Sequence, residues 1–169
     1  MVKGKTIIIA IIGVLVVMIG GWGASTLFKS EEKKVKKQFR TLSEWVSKEP
    51  NENTFTMAYK VKNIGTLFAE SCRFKISVDL LSGQYTPDEI SSYAARGRSQ
   101  FIKLNLKFDD LKVEFPENEI AKVGLTARLS GTLTTGEWVD ETRELICMLK
   151  KIEKHWLFSV FEVVEVLKK

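Results

Sequence analysis

The chain has 169 residues, with 26 Lys and Arg against 21 Asp and Glu, two cysteines and one histidine. That inventory excludes a disulfide-dense scaffold and any zinc site of familiar ligand spacing. The formal charge of +5 is concentrated near the start: from Thr41 onward 18 basic residues face 19 acidic ones, which argues against a nucleic-acid surface.

The 23 residues from Thr6 to Phe28 contain no ionisable side chain. As a helix rising about 1.5 Å per residue they cover about 34 Å, enough for a hydrocarbon core of roughly 30 Å. This length suits an uncleaved membrane anchor over residues 1–29 better than a signal peptide, whose apolar stretch is usually about 7–15 residues. Cleavage after Gly23 stays open, because Gly21 and Gly23 would then take the small-residue positions. Orientation reads two ways. Lys29, Lys33, Lys34, Lys36, Lys37 and Arg40 would keep the C-terminal domain in the cytoplasm by the positive-inside rule. The very short basic tail with Lys3 and Lys5 has the pattern of a signal anchor that exports its C-terminal domain. The expectation is a single pass through the cell (inner) membrane, with an extracytoplasmic domain over residues 30–169. Its basic start would contact anionic headgroups of the lipid bilayer.

Residues 30–48 repeat apolar positions at Val35, Phe39, Leu42, Trp45 and Val46, the stripe of a helix. A second helix is expected from Thr54, with Met57, Val61, Ile64 and Phe68 on one face. From Cys72 to Leu80 the period becomes two, which predicts a half-buried strand. Thr86-Pro87-Asp88-Glu89 is a helix start with a cap, a proline at the first position and a capping box. That helix should carry Ile90, Tyr93, Ala94 and Phe101 inward and end near Leu104. Four strands come next: Leu111 to Phe115, Ala121 to Leu129, Trp138 to Leu149, and His155 to about Leu167, the last two joined by a polar turn at Lys151–Lys154. Trp45, Trp138 and Trp156 are expected in the core. Cys72 and Cys147 are expected as two separately buried thiols, with a disulfide open to an exported domain.

Each helix has one apolar stripe and each strand one apolar face, so a curved sheet wrapping the helices buries both. The fold class expected is α+β: an N-terminal transmembrane helix, then three helices packed in a curved, mainly antiparallel sheet. The run from Glu137-Trp138-Val139-Asp140-Glu141-Thr142 through Lys150-Lys151-Ile152-Glu153-Lys154-His155-Trp156 resembles the closing hairpin of the nuclear transport factor 2-like superfamily. There a short polar turn ends the penultimate strand and a tryptophan opens the last one. The element order over residues 31–168 is similar to its cone-shaped α+β barrel, a cystatin-like roll. The resemblance implies a fold shared by isomerases, cyclases, dehydratases, transport adaptors and non-catalytic envelope proteins, among them a type IV secretion component. Fold alone does not choose between these. Enzymatic members place an Asp, His or Tyr inside the cone, and this chain offers no matched set. Pairing of two sheets into a homodimer is also implied.

Chemistry-bearing residues are few. His155 comes directly after the polar turn, where exposure is expected rather than general-base work. Asp140, Thr142 and Glu144 share one face of the penultimate strand and are the ligand-pocket candidates. Glu141 and Arg143 point oppositely and are expected to form cross-strand ion pairs on a wet face. No P-loop, zinc-protease, nucleophile-elbow or dinucleotide spacing occurs, so no catalytic, cofactor-binding or metal-ligating residue is assigned. The leading expectation is a non-catalytic binding or assembly domain of the cell envelope with an unidentified protein partner. The alternatives are an apolar-ligand binder or small isomerase- or cyclase-like enzyme, and a secretion-system subunit.

Overall fold

In the computed structural model the described residues are 29–76 and 82–164. The expected anchor, Thr6–Phe28, lies outside them, as do residues 77–80 of the expected first strand and the end of the last. No helix among the described residues is long and apolar enough to cross a membrane. The fold lies within the second of two compact units, Val35–Lys169.

Helix α1 is helical over residues 29–46, and its expected stripe is the one it buries. Val35, Phe39 and Leu42 are buried, and Trp45 and Val46 pack against the same cluster. It stops at Val46 rather than Lys48 because Lys48 pairs with another segment: its N–H and C=O exchange hydrogen bonds of 2.7 and 2.9 Å with Leu104. Helix α2, Thr54–Gly65, starts at Asn53, whose side chain accepts from Thr56 N. It ends where it meets helix α3, Pro87–Ser99. A Cβ on Gly65 would stand 2.6 Å from Ser91 Oγ and 2.8 Å from the Pro87 carbonyl oxygen, so only glycine allows the approach. Helix α3 has the anticipated capping box between Thr86 and Glu89.

Three strand boundaries differ from expectation. Strand β1, Phe68–Lys75, takes in Phe68, which the sequence pattern places on a helix. Strand β2, Gly83–Tyr85, has no counterpart among the expected elements. Helix α3 stops at Ser99, and Phe101 opens strand β3, Phe101–Glu117, because Phe101 already pairs with Leu133. The remaining strands are β4, Ile120–Leu133, β5, Trp138–Ile152, and β6, His155–Val164. Their order across the sheet is β2-β1-β6-β5-β4-β3. β1 runs parallel to β6, and the other neighbours are antiparallel. The β5–β6 turn is tighter than expected: only Glu153 and Lys154 lie outside the strands, with φ of 47° and 71°, the backbone that a two-residue hairpin of this hand requires.

Two bulges keep one face of the sheet apolar. Phe108 lies opposite Ala127 and Val113 opposite Val123, so β3 uses one residue more than β4 between these pairs. Asp110, at φ 55°, sits in that stretch. Phe108 therefore shares a face with Leu111, Val113 and Phe115, although the alternation has shifted by one. On β6, Phe158 faces Leu149 while Val160 faces Met148, leaving Ser159 as the extra residue, its hydroxyl donating to the Met148 carbonyl at 3.1 Å. Phe39 of α1 meets Phe158 edge-on at 4.9 Å and Phe108 at 5.4 Å, so α1 packs across the apolar face. Trp156 is buried there, but Trp138 is 61% exposed, a correction to its expected core place. On its own face of β5 the next residues are Asp140 and Thr142, which offer its ring no apolar cover.

One charged side chain ties the helices to the sheet. Arg98, at the end of α3, is 1% exposed. Its Nη1 donates to the carbonyls of Trp45, Val46 and Ser47 at 2.5, 2.7 and 2.7 Å, and its Nη2 pairs with Glu52. Glu52 also accepts from Lys60 of α2 at 2.7 Å, while Lys48 Nζ donates to the Phe101 carbonyl at 2.6 Å. Burial pushes the Glu52 carboxyl up, but hydrogen bonds from Lys60 and Arg98, and their charges, outweigh it and hold it below its ordinary 4.5. A carboxylate lowered on folding adds stability above its ordinary value, and that stability is lost as pH falls through the lowered one. Urea unfolding of the full chain should therefore show wild type ahead of Glu52→Gln by on the order of 3 kcal/mol at neutral pH. The gap should narrow only below pH 4.5. A gap that is independent of pH would contradict this account.

Candidate functional site

The helices and the apolar sheet face do not fill the space between them. A cavity of about 400 Å³ remains, within the roughly 300–1,000 Å³ usual for small-molecule sites. Ile64 of α2 and Phe68 of β1 line its buried end, at 1% and 6% exposure. Phe74 and Phe161 form an aromatic wall, stacked at 5.3 Å with an interplanar angle of 6°. Ile90, Tyr93 and Ala94 reach in from α3, as the sequence pattern anticipated. Tyr85 of β2 meets Phe74 and Tyr93 edge-on at 5.6 and 5.4 Å. Tyr93, at 54%, is the most exposed lining residue and marks the rim. Among the described residues, no Asp, Glu, His, Lys or Arg side chain lines this cavity. Among the described lining residues, the side chains with a polar group are Tyr85 and Tyr93.

The three ligand-pocket candidates do not converge on this space. Leu145, Cys147 and Leu149 take the apolar side of β5, so Asp140, Thr142 and Glu144, at alternating positions, take the other. Asp140 is held by Arg128 in a two-pronged pair, Nε to Oδ1 at 2.9 Å and Nη2 to Oδ2 at 2.6 Å. Those hydrogen bonds keep its carboxyl below the usual range. Thr142 is exposed, and Glu144 borders a separate hollow with Lys112 and Val164. Glu141 and Arg143 pair at 2.8 Å along one exposed strand. His155 is exposed at the hairpin end, as anticipated. Among the described residues no three His, Cys, Asp or Glu side chains converge as metal ligands. The lining residues that sequence reasoning misses are chiefly Tyr85 and the start of β3. β2 has three residues, too short for a periodic signal, and Leu106 was expected to lie beyond the end of a helix.

No protein-family model and no curated protein matches this chain. Solved structures do. A hexachlorocyclohexane dehydrochlorinase (LinA, type 2) superposes with a TM-score of 0.63 at 10% identity, covering 80% of this chain and 84% of that one. The Kfla4162 protein from Kribbella flavida gives a TM-score of 0.67 at 8% identity, covering 80% and 90%. These neighbours have the nuclear transport factor 2-like fold, and this chain shares it. At such identities the likeness extends to fold alone.

The two cysteines are free, and each is fully buried. Burial pushes the Cys72 thiol up to about 12. Cys147 is raised further, by burial first and then by the nearby Cys72. Since the thiolate is the reactive form, both should be inert toward an aromatic disulfide reagent at mildly alkaline pH in the folded full chain. Both should react once denaturant is added. Fast reaction of either thiol in the folded state would show that this core opens.

Proposed function

We propose that this chain is a membrane-held, non-catalytic binding protein whose cavity takes an apolar small molecule. The observation that carries this reading is a ligand-sized space whose described lining residues include no carboxylate, histidine or cation. General acid–base catalysis needs such a group within hydrogen-bond reach of the reacting atoms, and the tyrosines alone do not make an acid–base pair. The alternative of a small isomerase- or cyclase-like enzyme is supported by the fold, which such enzymes share, and not by the lining. Tethering to the bilayer rests on the apolar run Thr6–Phe28. On this reading the domain stands on the extracytoplasmic side, where lipophilic molecules leave or enter the membrane.

The test is light-driven crosslinking of a neutral aliphatic diazirine to the full chain in lipid nanodiscs. Peptides from α3 and β1 should carry the label. Ala94→Trp and Ala127→Leu, which fill the cavity, should each reduce it about tenfold, equivalent to about 1.4 kcal/mol, while the cysteines stay protected. Labelling that ignores both substitutions would remove the cavity as the binding place.

We further propose that the domain pairs with a second copy through the outer face of the sheet. Ile146, Met148, Leu157 and Val160 are half-buried on that face, bordered by the Arg128–Asp140 and Lys75–Glu162 ion pairs. Partly covered apolar residues rimmed by charge are the usual make-up of an interface. Sedimentation of the full chain in a neutral detergent should give a dimer, and Ile146→Lys a monomer. A wild-type monomer at high concentration would end this proposal.

A further inference from the structure

The cavity's walls constrain the charge of what enters. We propose that it selects uncharged ligands, namely an alcohol, ketone or hydrocarbon of apolar body, placing any single oxygen at Tyr93, and that it rejects carboxylates, phosphates and amines. This rests on the reading of the cavity as a ligand site and narrows it to one chemical class.

The described walls carry no charged side chain. Ile64, Phe68 and Phe161 close the deep end at 1%, 6% and 8% exposure. A charged group there would lose its hydration and gain no ionic partner, since among the described residues no carboxylate, imidazole or cationic side chain lines the space. Unpaired burial is the case in which a charge is most strongly disfavoured. An ammonium is the one charged group that aromatic walls attract. Phe74 and Phe161, however, are stacked on each other, so each already spends one face on its neighbour. Tyr85 and Tyr93 meet edge to face at 5.4 Å, which engages one of those rings in the same way.

Among the described residues the rim is balanced too. Tyr93 stands on α3 with Glu89 one turn before it and Arg96 one turn after, both exposed, so opposite charges flank the entrance at helical spacing. Neither sign of ligand charge is drawn there. A hydroxyl or carbonyl oxygen, by contrast, needs only one partner, and the Tyr93 phenol both donates and accepts. The size fits a body larger than benzene, since an apolar cavity of about 150 Å³ already holds that ring and this one measures about 400 Å³.

The experiment sets dodecanol, dodecane, dodecanoate and dodecylamine as competitors against the diazirine label on the full chain in nanodiscs. Each is corrected for its measured partition into empty nanodiscs. Dodecanol should displace the label at a concentration at least about tenfold below either charged analogue, a difference of about 1.4 kcal/mol. Tyr93→Phe should weaken dodecanol severalfold and leave dodecane unchanged, a split that a merely structural role for Tyr93 would not produce. Dodecanoate or dodecylamine matching or beating dodecanol would overturn the selectivity while leaving the cavity as a binding site. No displacement by any of the four would overturn both readings. Dodecanol that is indifferent to Tyr93→Phe would overturn the placement of the oxygen.

Discussion

The Arg98 guanidinium is the constraint on which the arrangement of the helices depends. A helix ends with carbonyls that have no partner within it and with a partial negative charge. At the end of α1 the chain turns away at Ser47 to bridge with β3, so no further turn of backbone is present to satisfy them. Arg98 answers with Nη1 on three consecutive carbonyls. Its own charge is balanced by Glu52, which Lys60 also holds. Five segments meet in one network: the end of α1, the loop before α2, α2 itself, the end of α3 and the start of β3. Removing one partner from such a network leaves a buried charge uncompensated, which is why it acts as a fixed joint and not as a surface ion pair. Arg98 Nε is buried with no hydrogen-bond partner, the one unsatisfied point in the joint among the described residues.

With the helices held at that joint, the curvature of the sheet decides where space is left. The bulge at Asp110 and the extra residue Ser159 each advance the alternation by one. The same face therefore stays apolar while the strands bend. The two strands they bend lie on either side of β4 and β5, and their inward residues Phe108 and Phe161 both line the cavity. A helix is straight where the sheet is bent, so Phe39 can touch Phe158 while Leu42 and Val46, one and two turns further on, stand back and leave room. The space arises from the geometry of a straight element on a curved one, and its apolar lining comes from the faces that had to be buried anyway.

The same devices decide what could be read from the residues. The α1 stripe and the Thr86–Glu89 capping box are local signals, and both hold in the structure. Strand β3 was half legible: Leu111, Val113 and Phe115 alternate cleanly, whereas Leu104, Leu106 and Phe108 alternate in the opposite phase. Without the bulge between them in view, Phe101 to Leu104 reads as the tail of a helix, and Leu106 and Phe108 fall in no expected element. The face of β5 was ambiguous for a different reason. From Asp140 to Glu144 both faces carry polar residues, so parity could not say which faced inward until Leu145, Cys147 and Leu149 were seen in the core. Arg98 was invisible in kind. It sits among Arg96, Gly97 and Ser99 on a polar helix end, and only tertiary contact distinguishes it from a solvated arginine.

The chemistry of the site then turns on a contrast between two populations of polar groups. Charges that are buried are all engaged in holding the fold, Arg98 and Glu52 above all. The thiols that are buried are kept protonated by the burial itself. Carboxylates that the sequence offered for a pocket are either paired outside it, as Asp140 is with Arg128, or stand on the other face of β5. Among the described residues, no carboxylate, histidine or cation is left over for the cavity. A reaction that moves a proton needs a group whose protonation state can change while it touches substrate, and among the described lining residues the phenols of Tyr85 and Tyr93 are the groups of that kind. What the cavity retains is the ability to remove apolar surface from water, which amounts to about 25 cal/mol for each Å² covered. On the proposed reading that suffices to hold a lipophile, and the shape and neutrality of the ligand would be the properties that the described walls distinguish.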